Sequence, residues 1–139
     1  MIKRNYNLIF LVTIGLWAGC DDCNDCQDLQ SKMIVVQNDA GNNLLFGDGA
    51  LFDPQMVTVT TGNERQPVFI NTNNETIEFS LTPGQTDYLL TLDANTAELL
   101  SFDLSERESE RCCGNQTFST ATRLNGEEVD NFSTIIIVN

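Results

Sequence analysis

Histidine is missing from this chain and basic side chains are few: 139 residues carry no His, 7 Lys and Arg, and 20 Asp and Glu. Without an imidazole there is no Ser/His/Asp or Cys/His nucleophile system and no histidine-ligated metal. The net charge of −13 opposes a phosphate backbone, so nucleic acid is not an expected partner. There are 3 prolines and 1 tryptophan, and no internal repeat. The length allows one small domain. The longest apolar run, residues 8–17, is shorter than the roughly 20 residues of a spanning helix.

That run is informative for another reason. It follows Lys3 and Arg4 and ends in small Ala18 and Gly19, the layout of a secretory signal. A buried core helix would show a polar face at the helical period, and residues 8–17 are apolar all round except at Thr13 and Gly15. Export is therefore expected, with residues 1–19 as the signal peptide.

The run closes on Leu16-Trp17-Ala18-Gly19-Cys20, which resembles the lipobox of bacterial lipoprotein precursors. Trp17 stands where that pattern has an aliphatic residue. The resemblance implies cleavage before Cys20 and a diacylglycerol on its sulfur. Two or three acyl chains on one Cys give stable anchoring, since each buried CH₂ contributes about 0.8 kcal/mol. The membrane is then a partner through Cys20, and the envelope, most simply the outer membrane, is the address. Loss of 19 residues removes Lys3 and Arg4 and leaves 5 basic against 20 acidic side chains, a charge of −15. That surface favours solubility and cationic partners.

Residues 20–31 read as an acidic tether. Asp21, Asp22 and Asp25 resemble the export signals just after the lipidated Cys in surface lipoproteins of the Bacteroidetes. An Asp directly after the Cys also resembles an inner-membrane retention signal, and a plain solvated spacer fits as well. The acids do not match the EF-hand spacing, and no Gly supplies its turn.

Five Cys is an odd count for an exported protein. With lipid on Cys20, an even set remains: Cys23, Cys26, Cys112 and Cys113. Four Cys in an oxidising compartment point to two disulfides. The preferred arrangement joins Cys23 and Cys26 to Cys112 and Cys113 in either order, because adjacent Cys rarely bond each other without strain. Each bridge would close a loop of roughly 85 to 90 residues, for which chain entropy gives about 4.5 kcal/mol. A thioredoxin-type redox pair at Cys23 and Cys26 lacks the strand-to-helix context that lowers a thiol pKa. A four-thiolate zinc site lacks a spacer between Cys112 and Cys113.

From residue 32 to 139 the chain reads as one all-β domain. Runs of β-branched and aromatic residues alternate with Gly, Asn, Asp and Pro clusters every 8 to 12 residues or so. In residues 76–81, Ile77, Phe79 and Leu81 share one face; in 55–61, Val57 and Val59 point inward; in 87–92, Tyr88, Leu90 and Leu92 do so. Residues 32–37 and 134–138 are built around continuous apolar runs, expected to be central or covered on both sides. Turns are expected at 39–43, 61–63, 71–74, 82–85 and 93–95. Asn125-Gly126 favours a type I′ hairpin, and Pro67 puts the following strand at an edge or starts it after the proline. Residues 96–111 fit a helix or, preferably, a strand through Leu100, Phe102 and Leu104 that runs into a charged loop at 106–111.

These elements predict an immunoglobulin-like antiparallel β-sandwich of about seven to eight strands, with an up-and-down barrel as the alternative. The repeated strand and turn layout and the paired Cys112-Cys113 resemble small Bacteroidetes surface lipoproteins. Accidental carboxylate pairs abound among 20 acids, no substrate groove can be inferred, and catalysis is not expected. Gly47-Asp48-Gly49 with Asp53 is a turn or a calcium- or ligand-binding loop. Sequons at Asn74, Asn115 and Asn131 matter only in a glycosylating host. Two function classes follow. One is a non-catalytic binding or accessory module whose loops meet a protein or glycan, with no cofactor. The other is a structural subunit that joins an envelope assembly by strand addition. Metal binding or thiol redox chemistry is a third and lesser alternative.

Overall fold

Every second residue of Lys32-Met-Ile-Val-Val36 is buried, and this alternation makes Ser31–Gln37 the first strand, β1. The computed structural model describes residues 30–108, 114–130 and 134–138. The expected signal peptide, Cys20, Cys23, Cys26, Cys112, Cys113 and the sequon at Asn131 lie outside the described residues.

Among the described residues nine more strands follow: β2 (Thr58–Thr61), β3 (Glu64–Gln66), β4 (Phe69–Asn71), β5 (Thr76–Ser80), β6 (Asp87–Thr91), β7 (Ala97–Glu108), β8 (Asn115–Leu124), β9 (Glu127–Val129) and β10 (Thr134–Val138). They form two sheets, ordered β10-β1-β5-β4 and β3-β2-β6-β7-β8-β9. The result is a β-sandwich, with no helix among the described residues. The segment β1-β5-β4 repeats the B-E-D order of an immunoglobulin domain, and β3-β2-β6-β7 repeats C′-C-F-G. Two features differ from the expected layout. Strands β8 and β9 extend the second sheet beyond the G position, and β10 occupies the A position beside β1, running parallel to it. All other strand pairs are antiparallel.

The core is the space between the sheets. Ile34, Val36, Ile77, Phe79, Ile135 and Ile137 enter from the first sheet, and Val59, Tyr88, Leu90, Leu100 and Phe102 from the second. Phe79, Tyr88 and Phe102 form an aromatic cluster, with Phe79–Tyr88 centroids 5.3 Å apart and Tyr88–Phe102 edge-on at 5.5 Å. The Tyr88 Oη accepts the Thr82 N–H at 2.7 Å. A Tyr at the start of a strand reaching back to the backbone is the tyrosine corner of immunoglobulin-like sandwiches, and here it fixes the β5 to β6 crossing. Lys32 is buried beside this cluster with its Nζ 5.7 Å from the Phe102 centroid.

The expected turn chemistry is present. Asn125 and Gly126 have φ of 52° and 89°, both left-handed as a type I′ hairpin requires. β4 begins after Pro67 and is an edge strand. Two expectations change. The charged segment 106–111 is not wholly loop: Glu106, Arg107 and Glu108 remain in β7, paired with Thr117, Gln116 and Asn115. All three are exposed, and the residues opposite Glu106 and Arg107, the buried Thr117 and Gln116, are polar, so no apolar alternation reveals the strand. Among the described residues, 134–138 are neither central nor covered on both sides, because β10 ends its sheet with Ile136 and Val138 each 52% exposed.

Candidate functional site

Two loops meet at one end of the sandwich, and asparagine side chains build both. After β1, the Asn38 Oδ1 accepts the Ala40 and Asn42 N–H groups at 3.0 and 2.9 Å, and Gly41 takes φ of 81° to close the turn. The Asn43 Oδ1 then accepts the Leu45 and Phe46 N–H groups. Leu44 and Leu45 are buried under the loop as its anchors. Asn-rich segments turn in this way because a short amide can replace backbone partners.

The second loop joins β4 to β5. The Asn71 Oδ1 accepts the Asn74 N–H at 3.1 Å, and Glu75 follows with φ of 54°, a left-handed conformation that costs a non-glycine residue energy. The Asn43 Nδ2 donates to the Glu75 carbonyl at 2.9 Å and ties the loops together.

Between them lies an open cleft of about 670 Å³, lined by Asn38, Asn42, Asn43, Asn74, Glu75, the half-buried Phe46, and Gly41, Gly47 and Gly49. Asn43 is engaged in holding the loops. Among the described residues, no hydrogen bond engages the side chains of Asn42, Asn74 or Glu75. The chain matches no family model, no curated protein and no solved structure. The chemistry of the cleft must therefore be argued from these side chains alone.

Amides present donors and acceptors together, and a carboxylate accepts. Glycines in the lining bring a ligand close to the backbone, and Phe46 offers one apolar ring. The lining holds no cation. The arrangement suits a neutral, hydroxyl-rich ligand and repels an anion.

Of the loop singled out in the sequence, Gly47 and Gly49 reach the cleft but Asp53 does not. The Asp53 Oδ1 accepts the Gln55 N–H at 2.9 Å. Among the described residues, no three carboxylates or thiols come together as metal ligands. The lipidation and disulfide candidates Cys20, Cys23, Cys26, Cys112 and Cys113 lie outside the described residues. Sequence reasoning missed the grouping of Asn42, Asn74 and Glu75. Both turn clusters were legible as turns, but nothing local places residue 42 beside residue 74. That proximity comes from the β1–β5 register, which pairs Ile34 with Ile77.

Electrostatics elsewhere are structural. Asp103 receives both terminal nitrogens of Arg123, at 2.9 and 2.7 Å, and this bond holds its carboxyl below the usual range. Asp93 is lowered by the Asn95 and Thr96 N–H groups of its own turn. Burial lowers Lys32.

Proposed function

We propose that this protein is a lipid-anchored, non-catalytic binding module of a bacterial envelope, held through Cys20 and binding a neutral glycan in the cleft between residues 38–49 and 74–75. One observation carries the binding part: among the described residues, the amides of Asn42 and Asn74 stand free beside the Glu75 carboxylate on loops tied to each other by Asn43. Rigid scaffolds that present polar loops are the usual carriers of recognition. The lipobox at residues 16–20 supports the anchor, and the acidic tether supports a position off the membrane surface.

The test is titration of the full chain, extracted from membranes in detergent, with a panel of neutral and anionic oligosaccharides, read by calorimetry. At least one neutral oligosaccharide should bind, and Asn42→Ala combined with Asn74→Ala should weaken it roughly tenfold, the loss expected from two polar contacts. Preference for the anionic sugars, or binding unchanged in the double variant, would refute this reading.

A second reading, a structural subunit that joins an envelope assembly by strand addition, is favoured by a different observation. β10 ends the four-stranded sheet with an edge that no described strand covers.

A further inference from the structure

Among the described residues, the four sheet edges are not alike. β3, β4 and β9 are each 3 residues long. β3 carries Glu64 and Arg65, β4 follows Pro67, and β9 carries Glu127 and Glu128. Short, charged or proline-flanked edges are the devices by which sheets avoid pairing with other chains. β10 has none of them. Its 5 residues, Thr-Ile-Ile-Ile-Val, include no charge, proline or glycine, and its register with β1 is unbroken over all five. No described strand pairs with its outer edge, so among the described residues a row of its N–H and C=O groups is directed outward without a ladder partner.

We propose that β10 receives an added strand from a partner protein: an extended segment with alternating apolar side chains and lysine or arginine at its flanks. This deepens the strand-addition reading and rests on it; the loop cleft plays no part. The apolar alternation follows from the two faces of β10. Ile135 and Ile137 point into the core and are buried, while Ile136 and Val138 stand 52% exposed on the outer face, so an added strand finds apolar neighbours on both sides.

The charge follows from the groove beside the edge. About 600 Å³ in volume, it is lined by Glu128, Val129, Asp130, Thr134, Ile135 and Ile136. Arg123 lies opposite Glu128 in the β8–β9 pair and feels its charge, but the guanidinium is held by Asp103 at 2.7 Å and makes no ion pair with Glu128. Among the described residues, Asp130 of the lining has no cationic partner within ion-pair distance, nor does Glu127 outside the groove at the start of β9. A second copy of the chain is the weaker occupant. It would bring the same acids and, without residues 1–19, a further charge of −15 to an edge that is already acidic.

The test uses the full chain and three synthetic peptides. The first alternates valine and threonine with paired lysines at each end. The second has glutamates in place of the lysines, and the third keeps the lysines but carries N-methyl groups on alternate backbone amides. Binding is read by fluorescence anisotropy, and the site by amide hydrogen exchange over 134–138. The lysine peptide should bind, slow exchange in β10 and weaken as salt rises; the other two should bind roughly tenfold less tightly or not at all. Ile136→Lys and Val138→Lys, both on the exposed outer face, should each reduce binding of the lysine peptide by a similar factor. Equal binding of the glutamate peptide would overturn the charge of the occupant and leave strand addition standing. Equal binding of the N-methylated peptide, or no change in exchange at 134–138, would overturn both. A dimer in sedimentation that Ile136→Lys dissociates would name a second copy as the occupant and refute the proposal.

Discussion

Replacing Tyr88 with Phe removes one oxygen and leaves the rest of the aromatic cluster in place, so it isolates the tyrosine corner. The ring is fully buried and keeps its neighbours Phe79 at 5.3 Å and Phe102 at 5.5 Å. What is lost is the acceptor for the Thr82 N–H, at 2.7 Å in a part-buried position. An ordinary hydrogen bond contributes about 1 kcal/mol net, and leaving a buried donor unpaired costs about 1–3 kcal/mol. Water reaches a part-buried N–H more easily than a fully buried one, so Tyr88→Phe should cost about 1–2 kcal/mol. In a domain of this size each kcal/mol lowers the midpoint by about 4–8 °C. The assay is urea unfolding of the full chain at fixed redox state, with thermal melts alongside. The midpoint should fall at constant m, because the buried surface is unchanged. Tyr88→Ala, which also empties the ring's place, should cost about 3–5 kcal/mol. Tyr88→Phe within about 0.3 kcal/mol of the parent would show that the corner does not hold the β5 to β6 crossing.

Three further outcomes follow from particular residues. Gly126 has φ of 89° with nothing within 4 Å of an added Cβ, so Gly126→Ala should cost about 1–2 kcal/mol of backbone strain alone, read by the same unfolding curves. The Arg123 bond depresses Asp103 in the folded state, so its contribution is present at neutral pH and is lost as pH falls from about 3.9 through the lower folded value. Asp103→Asn should flatten the acid limb of the stability profile, and an unchanged limb would assign it to other carboxylates. Lys32 is lowered by burial from 10.5, so the unfolded chain binds the extra proton and stability should rise with pH as that value is approached. Alkaline unfolding curves should lose this rise in Lys32→Met.

Much of the fold was legible because its inward faces are apolar and its turns carry residues with one conformational use. Ile77 and Phe79 face inward as their spacing requires, and Asn125-Gly126 makes the expected left-handed pair. β7 beyond Leu104 escaped because its pairing with β8 is a backbone matter, and polar side chains on both faces carry no period. β10 misled for the opposite reason. An unbroken Ile-Ile-Ile run looks the same whether its second face is covered or open, and only the sheet order shows that it is open. The candidate cleft was half legible: residues 39–43 and 71–74 read as turns, but their meeting depends on strand register over more than 30 positions. The edge signal at β10 was in the sequence all along, as an absence of charge and proline. It became meaningful only by contrast with β3, β4 and β9.

The claim on which the functional account depends most is the anchor. Its direct test is an intact mass of the native protein extracted from membranes, with and without reduction before thiol alkylation. The account predicts a chain that begins at Cys20 and carries acyl chains, with Cys23, Cys26, Cys112 and Cys113 alkylated only after reduction. A lipid-free chain, or one that retains residues 1–19, would contradict the anchored module, and thiols that react without reduction would contradict the two disulfides.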